Sequence, residues 1–198
     1  VYPSEYRVIG KNSEIHWIRS SSKPVFRNEN IIAINGVFMD FTDRKNAEEA
    51  LKASEEKYRT LYTRVKEGIF QSNLEGRYIS CNPAAAHLLG YDTPEELINS
   101  ITDIGTQVYL FPADREKAME LFKKQGFIEN FEMQCIKKNG EIVWGLINAW
   151  LIKDKDGNVL HIEGTSQDIS ERKNTEETLK QNQKVLKTLI DAIPGPIA

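Results

Sequence analysis

The sequence predicts an α+β fold in which short helices pack on one side of an antiparallel sheet, with long helices before and after it. Three observations carry that prediction. Two short strand-like runs are followed by short capped helices and then by three longer strand signals. Much of the pattern recurs one domain length along the chain. Beside the recurring parts lie segments whose apolar residues repeat at alternating spacings of four and three, as on a helix with a narrow apolar seam.

The elements follow in order. Gly68 to Asn73 and Arg77 to Cys81 are rich in β-branched and aromatic residues and flank Leu74-Glu75-Gly76, a hairpin turn with a glycine available for positive φ. Asn82-Pro83 is a helix start: asparagine accepts a backbone N–H and proline fits the first turn. That helix carries Ala84, Leu88 and Leu89 and stops at Gly90. Thr93-Pro94-Glu95-Glu96 starts a second helix with acids where the helix dipole favours them. A third begins near Phe111-Pro112 and runs to about Gln125, with Ala118, Leu121 and Phe122 on one stripe. Phe131, Met133 and Cys135 then alternate with polar residues. Asn139-Gly140 marks a hairpin turn, Ile142 to Ile152 is apolar on both faces so that both sides would be covered, and Val159 to Ile169 completes a meander. On the middle strand Trp144 and Trp150 share the outer face, where they can meet a helix or a partner as readily as fill a core.

The repeat is explicit. Gly36-Val-Phe-Met-Asp-Phe-Thr-Asp-Arg-Lys-Asn and Gly164-Thr-Ser-Gln-Asp-Ile-Ser-Glu-Arg-Lys-Asn stand at an offset of 128 residues, while Asn12 to Trp17 matches Asn139 to Trp144 with one residue of slippage. A turn in Lys23 to Asn30 or Asp154 to Asn158 can absorb the slip. A period this long is a whole domain rather than a solenoid repeat. The organisation expected is the end of one repeat at 1–44, a connector helix at 45–61, a complete repeat at 62–170, a second connector at 171–188 and the start of a third repeat at 189–198. Three strands without their helices would expose a sheet face, so 1–44 is expected to be completed by a partner chain or poorly packed.

Each repeat ends in the same constellation: Asp40, Thr42, Asp43 and Arg44, then Asp168, Ser170, Glu171 and Arg172. Thr42 or Ser170 can cap the following helix, with an acid next in its first turn. Asp40 or Asp168, at the strand end, can bond the helix start or pair with the nearby arginine. The seams are Ala47, Leu51, Ser54, Tyr58, Leu61 and Val65, and Thr175, Leu179, Asn182, Leu186, Leu189 and Ile193. Such seams suit a parallel two-helix coiled coil, and their polar members fix register at a cost in stability. The alternative is that each helix packs on its own domain.

Composition narrows the function. The net charge of -3 supplies no basic field for nucleic acid. Cys81 and Cys135 lack zinc-site or haem-attachment spacing and suit a reducing cytoplasm. The longest apolar run, interrupted by Gly145 and Asn148, is too short to cross a bilayer, and no signal peptide is visible. The chain starts at Val1 and stops at Ala198 inside an apparent motif, so it reads as part of a longer protein in which a membrane anchor is left open. No acid pair or histidine constellation has catalytic or metal-site spacing, and no enzyme is expected in this stretch.

Tyr78-Ile-Ser-Cys-Asn-Pro-Ala-Ala-Ala-His-Leu-Leu-Gly-Tyr, Lys137-Lys-Asn-Gly-Glu-Ile-Val-Trp-Gly and Gly164-Thr-Ser-Gln-Asp-Ile-Ser-Glu-Arg-Lys, in that order, resemble the three signature regions of PAS domains. The resemblance covers 62–170, with 6–44 like the last three strands of another copy and 189–198 like the beginning of a third. It implies a five-stranded antiparallel sheet flanked by short helices around a small cavity, and a cytoplasmic sensory module in tandem ahead of an output domain. A histidine kinase is the usual output, or else a diguanylate cyclase or phosphodiesterase. It carries over a possible ligand pocket of Phe70, Leu89, Ile104, Val108, Phe131, Met133, Ile147 and Ser166, all equally suited to a filled core. The flavin-binding cysteine context is absent, and no histidine lies on the helix 112–125 that would ligate haem, so neither cofactor is expected. An unidentified small organic ligand is left open. Partners implied are a second copy, through the connector helices and the domain surfaces, and the output domain of the same protein; nucleic acid and membrane contact are not expected. The competing reading is a ligand-free protein–protein adaptor.

Overall fold

Residues 3–191 are described by a computed structural model and divide into two units between Thr60 and Leu61. In the first, β1 (Ser4–Ile9), β2 (Ile15–Arg27) and β3 (Asn30–Asp40) form an antiparallel sheet in that order, and α1 (Thr42–Arg64) leaves from the end of β3. The tip of β2–β3 is a two-residue turn in which Asn28 and Glu29 both take positive φ, the geometry that matches strand twist.

The second unit runs β4 (Gly68–Ser72), β5 (Tyr78–Cys81), α2 (Pro83–Leu88), α3 (Pro94–Ser100), α4 (Ile104–Gln107), α5 (Pro112–Gln125), β6 (Phe127–Ile136), β7 (Ile142–Lys153), β8 (Val159–Asp168) and α6 (Ser170–Asp191). Its five strands form one antiparallel sheet in the order β5-β4-β8-β7-β6. The central strand β8 and its neighbour β4 come from opposite ends of the domain sequence, so the sheet closes only when both halves are present. The α+β class and the five-stranded sheet expected from the sequence are those observed. Leu97, Ile128, Met133, Cys135 and Ile162 are almost fully buried in the core between the sheet and helices α2 to α5.

Local chemistry places the helices. Thr93 Oγ1 accepts the Glu96 N–H (3.2 Å) at the start of α3, and Gly126 ends α5 in the left-handed region at φ 84°. The short α4 has no counterpart in the sequence reading. Four residues are too few for a periodic signal, and it forms because Asp103 caps it and Gln107 folds back to accept the N–H groups of Thr102 (2.7 Å) and Asp103 (2.9 Å). Strand β7 is covered on one face only. Val143, Gly145 and Ala149 are buried, whereas Ile142 and Trp150 on the other face are exposed. Among the described residues no helix is long and apolar enough to cross a membrane.

Asn82 does more than cap α2. It is fully buried; its Oδ1 accepts the N–H of Ala85 (3.0 Å) and of Ile69 (2.8 Å), and its Nδ2 donates to the carbonyls of Tyr62 (3.1 Å) and Glu67 (2.9 Å). One side chain thus ties the end of α1 to β4 and α2. Asn82→Ala would leave those buried groups unpaired and should lower stability by about 2–4 kcal/mol. Urea unfolding of the variant reads this directly; a change under about 0.5 kcal/mol, the range of an ordinary surface substitution, would contradict it.

Candidate functional site

The two strand-to-helix junctions are built alike. In the first, the Thr42 N–H donates to Asp40 Oδ1 (2.9 Å), the Thr42 hydroxyl donates to the same oxygen (2.5 Å), and Thr42 Oγ1 accepts the Trp17 N–H (2.8 Å). In the second, the Ser170 N–H donates to Asp168 Oδ1 (2.8 Å) and Ser170 Oγ accepts the Trp144 N–H (3.0 Å). The next backbone pair is shared as well: Phe41 N–H to the Trp17 carbonyl and Ile169 N–H to the Trp144 carbonyl, each 2.9 Å. The aspartate therefore bonds the helix start, one of the two roles expected for it, while the hydroxyl, expected to cap the helix, bonds an inner strand of the sheet, β2 or β7. Lys45 lies 5.8 Å from the Trp17 ring centroid and Lys173 5.0 Å from that of Trp144, so each tryptophan meets the first turn of its exit helix.

Arg172 departs from the aspartate pairing considered for the junction arginines. Arg172 pairs with Glu132 on β6 (2.6 Å), and Lys173 pairs with the same carboxylate. These cations, Lys173 first, hold the Glu132 carboxyl below its usual range. The matching Glu5 on β1 pairs instead with Arg19 (2.5 Å), so the first junction lacks this clamp. Asp43 and Glu171 stand exposed in the first turns of α1 and α6. In the first junction His16 Nδ1 lies 2.9 Å from Asp40 Oδ2. The bonds from Thr42, then His16, hold the Asp40 carboxyl at about 2, and Asp40 raises His16 above its ordinary value.

Between sheet and helices lies a cavity of about 50 Å³. Phe70, Leu89, Ile104, Val108, Met133, Ile147 and Ser166 are in its wall. Phe131 is not; it packs on the same face of β6 with the Lys117 ammonium of α5 5.8 Å from its ring centroid. The wall also holds Ser72, Tyr78, Tyr109 and Arg115, which the sequence reading missed. Alternation along β4 from Phe70 points to Ser72, and Tyr78 stands directly opposite Ser72 on β5. Tyr109 and Arg115 carry no comparable signal, since the bend after α4 brings them in. Burial raises the Tyr78 and Tyr109 phenols, and raises the thiols of Cys81 to about 11 and Cys135 to about 12, which leaves both cysteines unreactive at neutral pH.

The seam residues Leu51, Tyr58 and Leu61 on α1, and Leu179, Leu186 and Leu189 on α6, are all exposed, as is Val65 just past α1. Ile193 and the stretch expected to begin a third repeat, beyond Asp191, lie outside the described residues.

Two tests follow. Glu132→Gln removes the anchor of Arg172 and Lys173. It should speed amide exchange in the first two turns of α6 several-fold while costing only about 0.5–1 kcal/mol, because the pairs are partly exposed; unchanged exchange would show that the hydroxyl and aspartate bonds suffice. For the first junction, Asp40's depressed pKa stabilises the fold above about 3.8 and that contribution is lost as pH falls toward 2. His16's raised pKa contributes below 6.5 and is lost as pH rises through its folded value. An NMR titration should place His16 above 6.5, and Asp40→Asn should bring it down; an unmoved midpoint would break the assignment.

Comparison with known proteins agrees with this geometry. The PAS domain profile matches residues 66–171. The chain is 29% identical over 111 residues to the probable diguanylate cyclase DgcE of Escherichia coli (strain K12), a match that covers 54% of this chain and 10% of that protein. It is 26% identical over 140 residues to the sensor histidine kinase TmoS of Ectopseudomonas mendocina, covering 69% of this chain and 14% of that protein. The chain thus spans a small part of each relative's length. Among solved structures, a PAS domain from Colwellia psychrerythraea superimposes with a TM-score of 0.50 at 21% identity, over 59% of this chain and 97% of that one. By its sequence profile, its sheet order and its helix-covered cavity, the chain belongs to the PAS domain family of sensory modules.

Proposed function

We propose that this chain senses a small ligand or a partner and relays its state through α1 and α6 to an output domain, as one PAS copy in a tandem array. The observation that carries the reading is the duplicated junction, in which an inner strand of each sheet shares hydrogen bonds with the first turn of an exit helix. A shift of the strand then moves the helix start with it. Beyond each start the helix presents an apolar seam whose leucines are exposed among the described residues, which suits a parallel helix of a second copy. Relatives named as a sensor histidine kinase and a probable diguanylate cyclase support a histidine kinase or a diguanylate cyclase as the output, and the chain itself is assigned no catalytic step. Two buried, unreactive thiols suit a reducing, cytoplasmic setting.

A second reading, a ligand-free adaptor, is favoured by the cavity volume of about 50 Å³, which holds a few waters or a molecule of a few heavy atoms. Native mass spectrometry followed by denaturing mass spectrometry separates the two, because a small-molecule mass lost on denaturation supports the sensor. The relay is tested by sedimentation velocity. The chain should dimerise at micromolar concentration, and Leu179→Glu with Leu186→Glu should shift it to monomer by at least tenfold in Kd. A wild-type chain that stays monomeric at every concentration would overturn the helix-pairing relay.

A further inference from the structure

The first unit repeats part of the second residue for residue. Across β2–β3, Ile18 faces Asp40, Ser20 faces Phe38 and Ser22 faces Gly36; across β7–β8, Gly145 faces Asp168, Ile147 faces Ser166 and Ala149 faces Gly164. Both ladders slip at the same place, between Val25 and Phe26 and between Ile152 and Lys153. Tyr6 opposite Ile18 matches Met133 opposite Gly145. The one-residue difference falls in the turn beyond each slip.

With this register, each side chain of the first sheet has a known counterpart. Tyr6 and Val8 are 39% and 41% exposed where Met133 and Cys135 are 2% exposed. Ile34 and Phe38 are each 69% exposed where Ile162 and Ser166 are 2% and 7% exposed. In the second unit that face is covered by α2 to α5, and the outer edge of β8 is paired by β4 from Gly68 opposite Ser166 to Ser72 opposite Ile162. The matching edge of β3, Ile34 to Phe38, has no strand beside it among the described residues.

From this we infer that the face bearing Tyr6, Val8, Ile34 and Phe38, with the free edge of β3, is a docking surface for the N-terminal half of the same fold, carried ahead of residue 1 on the same polypeptide. The inference rests on the tandem reading above and specifies the occupant. It consists of a strand antiparallel to Ile34–Phe38, a hairpin partner and short helices, on the plan of residues 66–126. The register also fixes one contact. Phe70 stands opposite Gly164, and a Cβ on Gly164 would come within 2.7 Å of the Phe70 ring. Gly36 occupies the matching position, so the docking strand carries a bulky side chain opposite Gly36.

Hydrogen exchange read by mass spectrometry, on the full-length parent protein and on the 198-residue chain, tests the inference. Amides in Ile34 to Phe38 should exchange at least tenfold more slowly in the parent protein. Phe38→Asp in the parent should abolish that difference while leaving exchange in β6 to β8 unchanged. Equal, fast exchange in both proteins would overturn the inference, as would protection in the 198-residue chain that grows with its concentration, which would assign the face to a second copy. Neither result touches the relay, which is read on the α6 seam.

Discussion

The structure turns on a hydrogen bond between an inner strand of the sheet and the start of a helix. Trp144 sits in β7, and its backbone N–H goes to the Ser170 hydroxyl of α6 rather than to another strand. An unpaired backbone donor there would cost free energy, so the helix start is held wherever that strand residue goes. Asp168, freed from the arginine, bonds the Ser170 N–H and fixes the direction in which α6 leaves. The indole then lies beside Lys173 of α6, which covers part of the outer face. Sheet, cap and exit helix are one bonded assembly.

The cavity side depends on close approach. Gly164 lets the Phe70 ring and the neighbouring β7 backbone come together where a Cβ would meet the Asn148 carbonyl at 2.7 Å. That contact brings the two halves of the domain sequence together at the centre of the sheet. Elsewhere in the interior wall, Tyr78, Tyr109 and Arg115 bring polar groups beside a small void. The interior is therefore neither wholly apolar nor open, and β8, which forms part of its wall, leads directly into the junction.

The strands, their turns and three of the four short helices were legible because each carries its own local chemistry: Asn82-Pro83, Thr93-Pro94, Asn139-Gly140. The fold class followed from their order. The repeat was legible too, and its one-residue slip fell in a turn, where insertions cost least. What escaped was tertiary. Asp40 takes one of its two expected roles and bonds the helix start, but the Thr42 hydroxyl does not cap the helix, because a strand donor from Trp17, distant in sequence, claims it. Glu132 draws in Arg172 and Lys173 across sequence distances of about forty residues that no spacing rule reveals. Phe131 alternates correctly with Met133, yet α5 covers it and takes it out of the cavity wall.

The two junctions share their hydrogen bonds and differ in their charges. At the second, Glu132 collects two cations from the first turn of α6. At the first, Arg19 holds the matching Glu5, and His16 stands against Asp40. Arg19 occupies the position of Leu146, and His16 that of Val143, so two substitutions on one strand account for the difference. The first junction consequently carries a histidine whose pKa the Asp40 carboxylate raises, and the second carries ion pairs whose strength depends on salt. A common backbone coupling has been given two electrostatic settings, and the helix that follows each sheet inherits the setting of its own junction.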